Sequence, residues 1–235
     1  MDEAERLMFE GWATLPQFKR KVAQTQEIIQ DALKIAPAYV ACSWGKDSTV
    51  LVHLCQQVDP NIPVIFWTDP EQEMLGNYSS VIQRYCQRFS PNYREIDTHG
   101  DRVPEKLEIS RIWEEYPMAI VGIRKEEGGA RRHAVKYGLI HRYRSGSRLE
   151  TWRAWPLLYW TWRDVWAYIL AHQIPYLSAY DHPLADHKSV SRTCNLFAKK
   201  RGNTKGLGSG RIENLRRINP EYYGYLKSNF PDIGL

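Results

Sequence analysis

The sequence predicts an α/β protein: a parallel, twisted sheet with helices on both faces, joined to a smaller, mostly helical and basic C-terminal region. Three observations carry this. Short apolar runs of strand length alternate with longer segments of helical period. A polar, Gly-containing turn sits between the first such run and the helix after it. The 235 residues suffice for one large core without a disulfide or metal staple.

The elements follow in order. Residues 1–36 are assigned to N-terminal helices. Pro16 suits a first helical turn, and Phe18, Val22, Ile28, Ile29, Leu33 and Ile35 recur with helical period up to Pro37. Ala38–Cys42 reads as a buried strand. Ser43-Trp44-Gly45-Lys46-Asp47 is the turn, and Ser48 to Val58 a helix with Val50, Leu51, Leu54 and Val58 on one side. Pro63–Trp67 is a second strand, Met74–Phe89 a helix, Tyr93–Ile96 a third strand and Met118–Gly122 a fourth. Leu139–Arg144 and Thr151–Trp155 read as strands joined through Ser145-Gly146-Ser147. Thr161 is an N-cap for a helix running to about His172, with Asp164 in its first turn. Asn219-Pro220 opens a last helix, Glu221–Phe230. Residues 37–181 form the predicted α/β domain, and 182–235 a basic extension packed on it.

The formal charge is +5, but it is unevenly placed. Arg124 to Arg148 holds eight Lys/Arg against Glu126 and Glu127; Lys188 to Arg217 holds nine against Glu213. That leaves 15 Lys/Arg against 24 Asp/Glu elsewhere. Two basic arms on an acidic body predict contact with a polyanion, as nucleotide phosphates, nucleic acid or both. The four cysteines, Cys42, Cys55, Cys86 and Cys194, form no C-x-x-C pair, which argues against a zinc ribbon or four-Cys cluster. No membrane-length apolar run and no apolar leader segment is visible, so a reducing cytoplasm is the expected compartment.

The turn carries the chemistry. A phosphate needs converging N–H donors without steric blockage, and a Gly-containing turn at a helix N-terminus supplies them. Ser43 and Ser48 add hydroxyls, Lys46 a cation, and Asp47 a group to orient donors or hold a divalent ion. The spacing is not Walker A: Val40 and Asp47 stand where that motif requires Gly and Ser/Thr.

Ser43 to Ser48 resembles the PP-loop, S-G-G-x-D-S, of the adenine nucleotide α-hydrolase superfamily. Within it the chain is similar to the phosphoadenylylsulfate (PAPS) reductase branch, which includes ATP pyrophosphatases of DNA phosphorothioation. Trp44 departs from the first Gly. Thr68-Asp69-Pro70-Glu71, Gly122-Ile123-Arg124 with Arg131, and the block from Trp155-Pro156-Leu157 through Asp164-Val165-Trp166 to Tyr180-Asp181 carry the rest of the likeness, over 38–181. The resemblance implies a nucleotide site of Ser43, Trp44, Gly45, Lys46, Asp47, Ser48, Thr49, Asp69, Gly122, Arg124 and Arg131. Ser43, Lys46, Asp47, Ser48 and Arg124 would be catalytic, with Asp47 toward Mg²⁺. Reductases of this branch use a C-terminal nucleophilic Cys. The sequence ends Phe230–Leu235 without one, and Cys194 stands unpaired. The expectation is therefore an ATP pyrophosphatase, cleaving ATP to AMP and pyrophosphate to adenylate an anionic acceptor. The expected acceptor is DNA or another polyanion, with a cysteine desulfurase or other sulfur donor and a homodimer as expected partners. The alternatives are a sulfonucleotide reductase using an external thiol, and a non-catalytic nucleotide- or nucleic-acid-binding module. Weaker features have plainer readings. Trp152, Trp155, Trp160, Trp162 and Trp166 read as packing rather than a stacking platform. Asp181, His182, Asp186 and His187 read as a polar turn rather than a metal site. The glycines of 201–211 mark a loop.

Overall fold

The computed structural model describes residues 1–68, 78–97, 102–143, 150–181, 216 and 220–229. Asp69, Cys194 and the Gly-rich segment 201–211 lie outside the described residues, as does most of the basic extension.

The elements are α1 (Glu3–Thr14), α2 (Pro16–Ile35), β1 (Ala38–Cys42), α3 (Lys46–Val58), β2 (Pro63–Thr68), α4 (Tyr78–Phe89), β3 (Asn92–Asp97), α5 (Arg102–Glu115), β4 (Met118–Val121), α6 (Gly129–Ala134), β5 (Ile140–Tyr143), β6 (Thr151–Ala154), α7 (Trp162–His172) and α8 (Pro220–Asn229). The sheet order is β3-β2-β1-β4-β6-β5. Every pairing is parallel except β5 with β6, which run antiparallel at the sheet's edge.

This order contains a switch point. The chain builds outward from β1 through β2 to β3, then crosses back to lay β4 on the other side of β1. Loops leaving β1 and β4 at their C-terminal ends therefore diverge and open a crevice, where open α/β sheets bind ligands. The buried strands read as apolar runs because helices cover both faces. Val40, Val64 and Ile120 pack in one core, and Tyr39, Ile65 and Ala119 in a second on the opposite face.

Residues 1–36 form two helices that belong to the main core. Phe9 and Phe18 are buried in it, and Phe9 meets Trp162 edge-on at 5.7 Å. Asp2 caps α1 by accepting from the Glu5 amide, while Glu5 accepts from the Asp2 amide. The C-terminal helix α8 rests Tyr223 on the same core.

Two boundaries differ from expectation for physical reasons. Helix α3 begins at Lys46, two residues before Ser48, so Lys46, Asp47 and Ser48 all lie in its first turn rather than in the preceding loop. Helix α5 stands where no helix was expected; its Ile112 is buried against Tyr39, Ile65 and Ala119.

Candidate functional site

The site forms where the β1–α3 turn meets the segment after β4. Trp44 takes the left-handed conformation, φ +53°, in the position the general loop pattern gives to Gly. A non-Gly residue there is strained. Its ring offsets the strain: it is fully buried, edge-on to Tyr85 at 5.3 Å and Tyr93 at 5.6 Å. Trp44 thus faces the core, and only its backbone belongs to the loop surface.

Inside the turn the hydroxyls brace one another. Ser48 Oγ accepts from the Ser43 amide at 3.2 Å, lies 3.2 Å from Ser43 Oγ, and donates to the Gly45 carbonyl at 3.0 Å. Thr49 is buried, and its hydroxyl also donates to the Gly45 carbonyl, so it stiffens the helix start. Gly45 has an extended backbone, φ −71°, that any residue adopts. A Cβ there would meet only Ser43 Oγ at 3.7 Å and the Tyr180 hydroxyl at 3.8 Å. The protein itself does not require Gly at this position; its use is to leave the loop surface open to a ligand.

Gly122, at the end of β4, has the opposite reason. A Cβ there would stand 3.1 Å from the Asp47 carbonyl oxygen and 3.3 Å from Ser48 Cα. Its missing side chain lets the β4 exit press against the first turn of α3. Arg124 is thereby carried to Asp47 across 77 positions of sequence.

The result is a buried ionic chain. Lys46 Nζ donates to Asp47 Oδ2 at 2.6 Å, and Arg124 Nε donates to Asp47 Oδ1 at 2.6 Å. Arg124 Nη1 pairs with Glu126. Lys46 and Arg124 are 2% and 0% exposed, so these charges are held by partners and not by water. Burial alone would raise the Asp47 carboxyl, but Lys46 and then Arg124 outweigh it and bring it down to about 2. Arg124 Nη2 is buried with no hydrogen-bond partner among the described residues. A buried guanidinium donor left open beside a phosphate-type turn calls for an anion.

Arg131 sits further along and pairs with Glu127, which also accepts from the Arg124 amide at 2.9 Å. The structure therefore brings Ser43, Gly45, Lys46, Asp47, Ser48, Thr49, Gly122 and Arg124 together. Arg131 stands beside them in a salt bridge, and Trp44 serves them from behind.

Tyr180 was not expected here. It is buried, its ring lies 5.9 Å from Lys46 Nζ, and it packs edge-on to Trp166 at 5.5 Å. The Tyr180-Asp181 pair was visible in sequence, but its approach to the turn depends on the fold.

A Mg²⁺ ion at Asp47 fits these residues poorly. Both carboxylate oxygens already face cations, and no group of three His, Cys, Asp or Glu among the described residues stands ready for a metal. The Trp series is packing, as expected: Trp155, Trp160 and Trp166 are buried.

A six-stranded sheet with a Ser/Gly turn at its switch point and a cation from the crossing strand defines an adenine nucleotide α-hydrolase-like protein. The chain belongs to the phosphoadenosine phosphosulfate reductase domain family, whose model matches residues 37–115 and 87–185. The adenosine 5'-phosphosulfate reductase of Bacillus thuringiensis (strain Al Hakam) is 29% identical over 164 residues, covering 60% of this chain and 66% of the relative. That of Bacillus cereus (strain B4264) is 28% identical over the same length. The chain thus spans 66% of the length of these curated relatives. Among solved structures, Candida glabrata FMN adenylyltransferase with FMN and the ATP analog AMPCPP superposes with a TM-score of 0.59 at 17% identity, covering 90% of this chain and 79% of that one. That likeness concerns the fold.

Proposed function

We propose that this chain is a sulfonucleotide enzyme: it binds an adenylyl sulfate, APS or PAPS, at the β1–α3 turn and passes the sulfo group to a thiol brought by another molecule. The carrying observation is the open Arg124 Nη2, buried next to the Lys46–Asp47 pair, on a chain whose curated relatives are adenosine 5'-phosphosulfate reductases. This shifts the weight away from the ATP pyrophosphatase expected from the cysteine pattern.

Ser43 and Ser48 hydroxyls and the open Gly45 surface receive the α-phosphate. Lys46 and Arg124 hold the charge that grows on its bridging oxygen as the sulfur–oxygen bond breaks. An incoming thiolate attacks sulfur, the S–O bond breaks, and the nucleoside phosphate leaves with the bonding pair. A second thiol then releases sulfite and closes a disulfide. The described cysteines do not supply the attacking thiolate. Cys42 and Cys55 are buried, and burial, with Asp59 adding to it, pushes the Cys55 thiol well above the ordinary range. Cys86 is half-buried and is raised by burial too.

The same cysteine placement favours a second reading, in which ATP occupies the turn and a nucleophile attacks its α-phosphate, expelling pyrophosphate. Product analysis separates the two. The chain is incubated with APS or PAPS plus a dithiol, and separately with ATP and Mg²⁺, with and without DNA. Sulfite supports the first reading. AMP with pyrophosphate replaces it by the second. Nucleotide binding without turnover in any arm abandons both for a sensing module.

A further inference from the structure

A small satellite core lies beside the site. Trp155 and Leu158 are buried in it, with Ile123, Val135 and Leu139 packed around them. The backbone ties it to the loop after β4, since the Lys125 amide donates to the Leu158 carbonyl at 2.9 Å. On its rim stand two large aromatic side chains that folding leaves in water: Tyr137, 55% exposed, and Tyr159, 43% exposed. Each has a lysine over its ring. Lys136 Nζ lies 4.9 Å from the Tyr137 centroid, and Lys125 Nζ 4.8 Å from that of Tyr159.

The pattern continues onto the edge strand. Tyr137 stacks on His141 at 5.6 Å with 27° between the rings, and His141 lies 4.1 Å from Trp155. Arg153, opposite His141 in the ladder, places its guanidinium 3.4 Å from the Tyr143 centroid. His141 Nδ1 is buried and has no hydrogen-bond partner among the described residues. Between Lys125 and Tyr159 four cations lie over rings, counting Arg142 over Trp152. Packing alone does not require cations over rings that stay in solvent.

The carboxylates nearby offset only part of this charge. Glu150 pairs with Arg142 and balances that one cation, while Glu126 and Glu127 turn to Arg124 and Arg131. Lys125, Arg132 and Lys136 remain exposed. Exposed π-faces interleaved with cations suit a chain that offers flat bases and regularly spaced phosphates; an acidic peptide would use the cations but not the rings. A duplex hides its base faces and would leave Tyr137 and Tyr159 unused.

We propose that this rim, from Tyr159 and Lys125 through Tyr137 and Lys136 to the β5 edge, is a binding track for single-stranded nucleic acid. The track begins next in sequence to Arg124, so a bound strand would run toward the nucleotide site. The inference does not rest on which nucleotide that site turns over.

The test uses the full chain and fluorescence anisotropy with labelled dT20 and rU20, without nucleotide. The two oligonucleotides distinguish a deoxyribose from a ribose strand, and binding of either supports the track. Tyr137→Ala and Tyr159→Ala should each weaken binding roughly tenfold, the size of one lost base stack. Tyr137→Phe and Tyr159→Phe should bind as the wild type does. Lys125→Ala with Lys136→Ala should flatten the slope of log affinity against log salt by about 1.4, the value for two phosphates on a single strand. None of these variants should alter the products formed from APS, PAPS or ATP. The proposal is overturned if neither oligonucleotide binds at up to about 100 µM protein, a range that covers ordinary nonspecific affinities. It is equally overturned if the Ala variants bind like wild type, or if heparin or a duplex competes as well as the single strand.

Discussion

Among the described residues two aspartates, Asp164 buried and Asp47 mostly so, each lie on the first turn of a helix beside a lysine, and they do different things. Asp164 opens α7. Its carboxylate accepts from the Thr161 amide at 2.7 Å, the Thr161 hydroxyl at 2.8 Å, Trp12 Nε1 at 2.9 Å and Lys21 Nζ at 2.6 Å. Burial alone would raise its carboxyl; Lys21, Thr161 and Trp12 lower it. Every partner is itself settled, and three of the four are neutral. Asp47 opens α3 and, among the described residues, its carboxylate is held by two cations, Lys46 and Arg124, the second of which has Nη2 without a hydrogen-bond partner there. The first arrangement is complete within the protein and fastens α1 and α2 to α7. The second leaves a buried guanidinium donor without a partner among the described residues, which is what the proposed anion would supply. A buried aspartate is therefore not a functional sign in itself; what its partners leave unsatisfied is.

The contrast can be broken from either side. Arg124→Lys keeps the charge but loses the guanidinium fork; turnover should fall about 100-fold, the scale of one lost transition-state donor. The fold should lose less stability than in Asp164→Ala, because the lysine keeps a charge beside Asp47 though it cannot reach Glu126 as well. Asp164→Ala should do the reverse. It leaves Lys21 and Trp12 without their acceptor and removes a cap, costing about 3 kcal/mol by urea unfolding, because Lys21 is partly solvated. Turnover per folded molecule should stay within about twofold.

Smaller effects sharpen the comparison. Gly122→Ala drives a Cβ toward the Asp47 carbonyl and should cost about 1–2 kcal/mol. It should cost more folding stability than Gly45→Ala, since Gly45 has room for a methyl group. Acid should reveal two windows. Burial, with His172 and Arg88 adding to it, lowers His53 from 6.5 to about 4, and its Nδ1 lies 2.9 Å from the Tyr168 hydroxyl. A depressed histidine contributes stability that is complete above 6.5 and fades as pH falls toward 4. The Asp47 contribution is complete above about 4 and fades toward pH 2. His53→Phe should narrow the upper window, to which His141 and His172, also lowered by burial, contribute, and leave the lower one.

Much of the scaffold was legible because it is locally encoded. Ala38–Cys42 and Pro63–Trp67 are apolar runs bounded by turn residues, and their strands fall within a residue of expectation. Thr161 and Asp164 announce α7 through a capping box. Helix α5 was not legible. Its first turn holds Pro104, which a helix start tolerates. Its sequence is dominated by charges that hide Ile112, buried in the second core, and Trp113, which packs against it.

The site was half legible. Ser43, Gly45, Lys46 and Ser48 are contiguous, and their order carries the loop. The Asp47–Arg124 contact was not, because only the crossover to β4 brings the two together. Nor was the role of Trp44. In the sequence it stands only as a departure from the first Gly of the loop pattern. The structure gives the reason: the ring anchors a left-handed residue from behind. For Arg131 the sequence left an anion contact and a salt bridge with Glu126 or Glu127 about equally open, and the structure pairs it with Glu127.

The central claim is that Arg124 is held open for the anion of an adenine nucleotide. Calorimetric titration of adenylyl sulfate into wild type and Arg124→Lys tests it most directly, with the melting temperature of each recorded first. The account predicts saturable one-to-one binding to wild type and at least tenfold weaker binding to the variant, measured below the melting temperature of both. Equal affinities, or a wild type that binds none, would contradict it.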